Sequence, residues 1–166
     1  MSWTAVQDVL YDWALENSGL NVATDQDKVF YANEKVMQPN ATYITLNISN
    51  IIKETNDELR NINDTDFVVS IMKSFTVSVN CYGKNALDYA ANLQSSFGKI
   101  AVKELLNTQN ISFVNVDPII DISALMDTII EKRYVFEAKF YIASNVAIVS
   151  DIIENVEMQG ELADAE

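Results

Sequence analysis

The chain has 166 residues, the length of about one domain, and 49% of them are hydrophobic, which is enough for a sizeable core. The chain has 11 Lys and Arg and 24 Asp and Glu. The resulting net charge of −13 argues against a function in binding nucleic-acid phosphates or anionic membranes. One cysteine and no histidine exclude an internal disulfide, a Cys–His nucleophile pair and a His-ligated metal site.

The first predicted element is a helix over residues 4–17, where apolar residues recur at helical spacing. Thr4 is its expected N-cap, and Gly19 suits the chain reversal after its last turn. The start of the chain lacks the pattern of a signal peptide, and no apolar stretch approaches the roughly 18–20 residues of a membrane helix. We therefore expect a soluble protein that begins in the cytoplasm and has no membrane partner.

Two strands are predicted next, at residues 28–32 and 43–48, and the second alternates apolar with polar side chains. The polar loop between them contains Asn33, Glu34 and Pro39. This loop is one of two features that composition alone does not explain.

Residues 53–66 are rich in Asn, Asp and Glu, and we expect them to form an exposed, mobile acidic loop. Residues 67–82 then return as a long strand or a bent pair of strands. The simplest pairing is an antiparallel hairpin of this segment with residues 43–51. Cys81 lies among its apolar residues, so we expect a buried small hydrophobe rather than a reactive thiol.

The clearest helix prediction covers residues 85–108. Asn85 is its expected N-cap, and Asp88 falls near the positive end of the helix dipole. Gly98 is unfavourable inside a helix, and we expect it to mark close packing against the sheet. The residues expected to form the buried stripe are Ala86, Ala90, Leu93, Phe97, Ile100 and Leu105.

The last part of the chain predicts strands at residues 111–116, 133–143 and 152–160 and a frayed acidic tail at 161–166. The pattern of residues 119–130 is compatible with either a helical turn or a loop. Strands therefore follow one another in hairpin-like steps rather than alternating with helices. This order indicates one α+β domain over the whole chain, with a mainly antiparallel sheet and two principal helices packed on one face.

No motif for catalysis, cofactor binding or metal binding is present in the sequence. The four glycines are isolated, so a phosphate-binding loop is missing, and Asp64-Thr65-Asp66 lacks the glycine and glutamate of a calcium loop. We predict a protein that is not an enzyme and has no cofactor. A hydrolase with a pair of carboxylates stays open as a minor alternative.

The second unexplained feature is the cationic pair Lys132 and Arg133, which opens an aromatic-rich strand. Two interpretations stay open. The pair is a solvated strand start, or it forms ion pairs with carboxylates of a neighbouring subunit.

Several short segments together resemble one protein family. They are a first helix with Trp13 and Gly19, then Val29-Phe30-Tyr31-Ala32-Asn33, the loop with Pro39, Tyr43-Ile44-Thr45-Leu46, Ser78-Val79-Asn80-Cys81-Tyr82-Gly83, Asn85-Ala86 and Glu131-Lys132-Arg133. Their order over about residues 4–145 resembles the tailed-phage neck and tail terminator proteins. The single proline in the loop and the polar insertion near 53–66 depart from the family's pattern.

The resemblance implies a virion protein that forms a ring, usually a hexamer, at the neck or on the end of the tail tube. Such a ring terminates the tail and joins it to the head-side connector, so the implied partners are other copies, the tail tube protein and the connector. DNA only passes along an acidic wall. The expected contacts between subunits are Arg133, Lys132, Asn33, Glu34 and Pro39. An acidic cytoplasmic adaptor or inhibitor that binds a basic partner is the alternative.

Overall fold

A computed structural model describes residues 2–34, 41–54, 58–61, 66–126 and 129–149. Its helices are α1 (Trp3–Asn17), α2 (Ala86–Ser96) and α3 (Ile100–Asn107), with a 3₁₀ turn at Gln26–Lys28. Its strands are β1 (Val29–Tyr31), β2 (Tyr43–Lys53), β3 (Glu58–Asn61), β4 (Asp66–Tyr82), β5 (Ile111–Val116), β6 (Ile120–Asp121), β7 (Ala124–Met126), β8 (Ile129–Glu131) and β9 (Arg133–Val149). The predicted α+β class is confirmed.

The main sheet has the strand order β1-β2-β4-β9-β5, with β3 added beside β4 and β6 beside β9. Only β1 and β2 are parallel among the described pairs of this sheet, so it is mainly antiparallel as predicted. The predicted hairpin is confirmed as the β2–β4 pair, in which Tyr43 lies opposite Tyr82. Strands β7 and β8 form a separate two-stranded sheet.

The core lies between one face of the sheet and the helices, as the alternation predicted. Alternate residues of three neighbouring strands point into it and are buried. They are Ile44 and Leu46 of β2, Phe75, Val77, Val79 and Cys81 of β4, and Phe136, Ala138, Phe140 and Ile142 of β9. All three described helices add side chains to the same cluster, which confirms that they pack on one face.

Helix α1 forms where it was predicted, but its N-cap is Ser2 rather than Thr4. The Ser2 hydroxyl accepts a hydrogen bond from the Thr4 backbone N–H at 3.2 Å and so satisfies a free donor of the first turn. Gly19 follows the helix with φ of 95°, a conformation that favours glycine. Its predicted place at the chain reversal is confirmed.

The single helix predicted over residues 85–108 is wrong, because the chain breaks between α2 and α3. Lys99 has an extended backbone and redirects the helix axis. The first four residues of the expected stripe, Ala86, Ala90, Leu93 and Phe97, are buried as predicted. After the break Ile100 is 74% exposed, and Val102 and Leu106 of α3 are buried instead. A Cβ on Gly98 would meet only the Ser95 carbonyl of its own turn, at 3.5 Å, so the expected close packing against the sheet is also wrong. Asn85 stands at the N-cap position of α2 but makes no capping side-chain bond.

Two segments expected to lack strands contain them. Part of the predicted acidic loop at 53–66 is strand β3, which pairs with residues 67–70 of β4. Residues 119–130 contain β6, β7 and part of β8. Polar sequences such as Glu58-Leu59-Arg60-Asn61 become strands because a neighbour offers hydrogen bonds, which local propensity does not reveal. The strand predicted at 152–160 and the tail at 161–166 lie outside the described residues.

Candidate assembly surface

The sheet face opposite the helices is polar along its central strand. Strand β4 places Ser74, Thr76, Ser78 and Asn80 there at alternate positions. An antiparallel sheet with one apolar and one polar face typically packs its core on one side and meets water or another protein on the other.

Arg133 lies on this polar face and is held by its own subunit. Its Nη2 donates to the Asn80 Oδ1 at 2.9 Å, and its guanidinium carbon lies 5.0 Å from the ring centroid of Tyr82. Its Nε is buried and has no hydrogen-bond partner among the described residues. Hydrogen bonding and the cation–π contact therefore fix the charge at this end of the sheet.

Arg133 lies at the end of a row of stacked aromatic rings on the same face of the sheet. Tyr82 stacks on Tyr43 with ring centroids 4.2 Å apart, and Tyr43 stacks on Phe30 at 5.5 Å. Burial raises the pKa of Tyr43. The neighbouring Tyr82 and Glu131 raise this pKa further, whereas Arg133 lowers it. The three rings lie on β1, β2 and β4, and Arg133 of β9 caps the row. Sequence analysis missed the row because it depends on which strands are neighbours.

Lys132 is exposed beside Arg133, at a corner where its backbone carbonyl accepts from the Gly83 N–H at 3.0 Å. A cleft of about 230 Å³ lies at this corner, lined by Gly83, Lys84, Ile130, Glu131 and Lys132. Gly83 has φ of 95°, and a Cβ there would lie 2.6 Å from the Thr42 hydroxyl. The sequence analysis named Gly83 only within a segment of the family resemblance, whereas the structure requires a glycine to bring these segments together.

Asn33 and Glu34 form an exposed turn after β1. The Glu34 carboxylate accepts from the Tyr31 N–H at 3.0 Å, and the Glu34 N–H donates to the Tyr31 carbonyl at 2.9 Å. Strands β2 and β4 separate β1 from β9, which puts this turn roughly 14 Å or more from Arg133 at about 4.8 Å per strand. Within one subunit, Lys132 and Arg133 therefore form one candidate contact site, and Asn33 and Glu34 form a second site away from it. Pro39 lies outside the described residues.

The acidity of the chain is prominent on α1. Asp8, Asp12 and Glu16 are all exposed and recur every four residues, which places them in one row along the helix. The polar face of the sheet has mixed charge instead, with Glu137 next to Lys139 in the face pattern of β9. One row of exposed carboxylates therefore lies on the helix side of the molecule.

Cys81 offers no reactive thiol, since it is fully buried and burial raises its pKa to about 12. The described part of the chain contains no grouping of His, Cys, Asp and Glu that could hold a metal ion. Among the same residues, no helix has the length and apolarity to cross a membrane.

The family of the chain follows from its match to a family model described as phage neck terminator protein, which covers residues 3–166. The chain belongs to this phage neck terminator family. The resemblance inferred from the sequence is confirmed and extends over almost the whole chain. No curated protein matches the chain.

Membership of the phage neck terminator family gives this chain a structural role in the neck of a phage. It also places the protein in the neck or tail region of the virion and implies contact with other phage head or tail proteins. The family is structural and is not known as an enzyme.

Proposed function

We propose that this neck terminator protein forms a ring, a hexamer, at the top of the tail tube. The ring ends the tail there and joins it to the connector on the head side. The observation that carries this proposal is the match of residues 3–166 to the neck terminator family.

Each copy in a ring needs two different surfaces, because it contacts its two neighbours through unlike patches. The Lys132–Arg133 corner and the Asn33–Glu34 turn are two such surfaces, one cationic and one with a carboxylate, on strands separated within the sheet. We propose that they meet between neighbouring subunits and that Pro39 lies near the same contact. An ion pair of Lys132 with Glu34 of the next copy is the simplest form of this contact.

The acidic row on α1 supports a further part of the proposal, the wall past which DNA moves. A surface with Asp8, Asp12 and Glu16 in line repels phosphate groups, so a passing duplex would not adhere to it. We place this helix face toward the channel of the ring.

Native mass spectrometry and negative-stain imaging of the full-length protein test the ring, and proteomics of purified phage particles tests its place. We expect a single closed oligomer and the presence of the chain in virions. A strictly monomeric protein that is missing from particles would contradict the proposal.

Charge reversal at the corner tests the contact. Lys132→Glu should weaken assembly and leave the unfolding free energy nearly unchanged, because Lys132 is exposed. Arg133→Glu should weaken assembly too, and should also cost about 1.5–3 kcal/mol of folding through the lost bond to Asn80. Lys103→Glu, an equal charge change on exposed α3, is the control. Equal loss of assembly in all three variants would show a charge effect without a specific contact.

The acidic row also favours a second function, an adaptor that binds a basic protein. The two functions differ in what the chain binds. A ring forms from purified copies of the chain alone, whereas an adaptor forms a complex only with a basic partner protein, and that complex weakens as salt screens the attraction. Native mass spectrometry of the purified chain and pull-downs at low and high salt separate the two.

A further inference from the structure

A cleft of about 340 Å³ lies between α3 and β5, the last strand in the order β1-β2-β4-β9-β5. Half of the residues that line it are apolar and half are polar. They are Leu106, Ile111 and Phe113, and Lys103, Asn107 and Ser112. The cleft thus combines an apolar wall with polar groups that can orient a ligand, a composition that suits an amphipathic segment of chain.

The wall of the cleft is preformed, because it is continuous with the core. Leu106 and Ile111 are buried members of the described core, and the half-buried Phe113 packs against it. The ring of Phe113 stacks on Phe97 with centroids 4.3 Å apart. A ligand therefore meets a wall that is already ordered, which lowers the entropic cost of binding.

The charge that lines the cleft is positive. Among the described residues that line it, Lys103 alone is charged. The ammonium group of Lys103 makes no ion pair or hydrogen bond with another described residue. Glu104 follows Lys103 in the chain but does not line the cleft. The cleft therefore attracts a carboxylate, although the chain as a whole carries −13.

The sequence after β9 has the complementary chemistry. Residues 150–166 contain six Asp and Glu and no Lys or Arg. Larger apolar residues are interspersed among these carboxylates: Ile152, Ile153, Val156, Met158 and Leu162. The match to the neck terminator family runs through residue 166, so this segment belongs to the part of the chain that the family shares.

The segment is also long enough to return to the cleft. Strand β9 ends at Val149, and the start of β5 pairs with it at Ile111–Ile142. The way back along β9 is roughly 23 Å, plus one strand spacing of about 4.8 Å. Residues 150–166 span up to roughly 56 Å when extended. About seven residues thus bring the chain level with the cleft, and residues 157–166 are left to occupy it.

We propose that residues 157–166 bind in the α3–β5 cleft of their own chain. Met158 and Leu162 pack on the apolar wall, and the carboxylate of Glu157 or Glu161 pairs with Lys103. Composition alone predicted a frayed end at 161–166, and the cleft supplies the surface that such an end lacks. The inference goes beyond the proposed ring and does not depend on it, because it concerns contacts within one chain.

Tethering makes the segment of the same chain the favoured occupant. A short linker holds a segment near its site at an effective concentration in the millimolar range. The segment of another copy reaches the cleft only at its own, lower concentration in solution. Repulsion between copies of net charge −13 disfavours this exchange further.

Cysteine cross-linking of the full-length protein at low concentration tests the inference. The variant carries Ser112→Cys on the cleft and Ala163→Cys in the segment, which leaves Met158 and Leu162 in place. Ser112 is exposed, so its replacement should not disturb folding. Native Cys81 does not compete for a short bis-maleimide, because it is fully buried.

The matched control replaces Ser112→Cys by Ile52→Cys and keeps Ala163→Cys. Ile52 is 55% exposed and pairs with Ser74, which lies opposite Tyr141, and Ser112 pairs with the same Tyr141. The two positions are therefore level with each other on opposite sides of the sheet. A segment that moves freely from Val149 should reach both at similar rates.

We expect the Ser112 pair to cross-link within one chain on the order of tenfold faster than the Ile52 pair, because binding concentrates the segment at the cleft. Equal rates would overturn the inference. Dimers in place of the product within one chain would show that another copy supplies the segment, and would overturn it as well.

Lys103 gives a second readout. Lys103→Glu in the Ser112 pair should slow the cross-link to the rate of the Ile52 pair, whereas Lys103→Arg should keep it fast. An unchanged rate in Lys103→Glu would overturn the inference. The ring is measured separately, since Lys103→Glu should still form closed oligomers. Failure of the segment to bind is thus distinguishable from failure of the ring.

Discussion

The two halves of the β4–β9 ladder are built alike but surrounded differently. From Phe75 to Cys81, alternate residues of β4 are fully buried under the helices. From Met72 to Asp66 the same pairing with β9 continues in unbroken register, and none of the side chains that the structure describes there belongs to the hydrophobic core. Strand pairing is thus a property of the two strands, whereas burial depends on what a third element supplies. The covered half, Phe75 to Cys81 with its partners on β9, therefore holds the central part of the described core.

The largest expected effect is in the covered half, at Trp13. This side chain is fully buried, stacks on Phe97 at 4.8 Å and donates from Nε1 to the Ser96 hydroxyl at 2.8 Å. Trp13→Ala should lower the unfolding free energy by about 3–5 kcal/mol, because it leaves a cavity and removes the hydrogen bond that the Ser96 hydroxyl accepts. Urea unfolding at low protein concentration measures this. Trp3→Ala is the matched control, since Trp3 is half-buried at the edge of Phe75, and an equal loss there would show that Trp13 has no special place in the core.

The sequence predicted the covered half better than the rest, for a physical reason. Strand β5 has the predicted bounds 111–116, and α1 lies within one residue of its prediction, because their local patterns agree with their burial. Strand β3 was missed because a polar segment becomes a strand only through its pairing with β4. Lys132 and Arg133 could be singled out as residue types. The bond of Arg133 to Asn80 depends on strand register, which no local pattern specifies.

The next effect is at Gly83, where β4 leaves the covered half of the ladder. Its φ of 95° and the distances of a Cβ to Thr42, 2.6 Å to Oγ1 and 2.9 Å to Cα, leave no room for a side chain. Gly83→Ala should cost about 1–3 kcal/mol through backbone strain. Gly98→Ala is the matched control and should stabilise by about 0.4–1 kcal/mol, since it has space and restricts only the unfolded chain. Thermal unfolding compares the two, and similar effects at both sites would contradict the assignment.

A smaller effect concerns pH, through Cys81 in the covered half. Burial raises the pKa of this thiol from 9.0 to about 12, so above pH 9 the unfolded chain loses the proton while the folded chain keeps it. Folding stability is therefore complete below pH 9 and is lost as the pH rises toward 12. At pH 10 the loss should be about 1.4 kcal/mol relative to pH 7. Cys81→Ala should remove this part of the pH dependence, and an unchanged slope would show that other groups cause it.

The smallest effect on folding is expected at the far end of strand β2, and this strand allows a direct comparison. Leu46 lies beside the covered half of the ladder and is fully buried, whereas Ile52 lies near the end of β2 and is 55% exposed. Leu46→Ala should cost the monomer about 2–5 kcal/mol, and Ile52→Ala should change its stability by less than about 0.5 kcal/mol.

Urea unfolding of both variants at one low protein concentration measures the difference. If Ile52→Ala instead destabilised the monomer as much as Leu46→Ala does, the end of β2 would be packed within its own subunit. The contrast between the covered half and the far end of β2 would then be wrong.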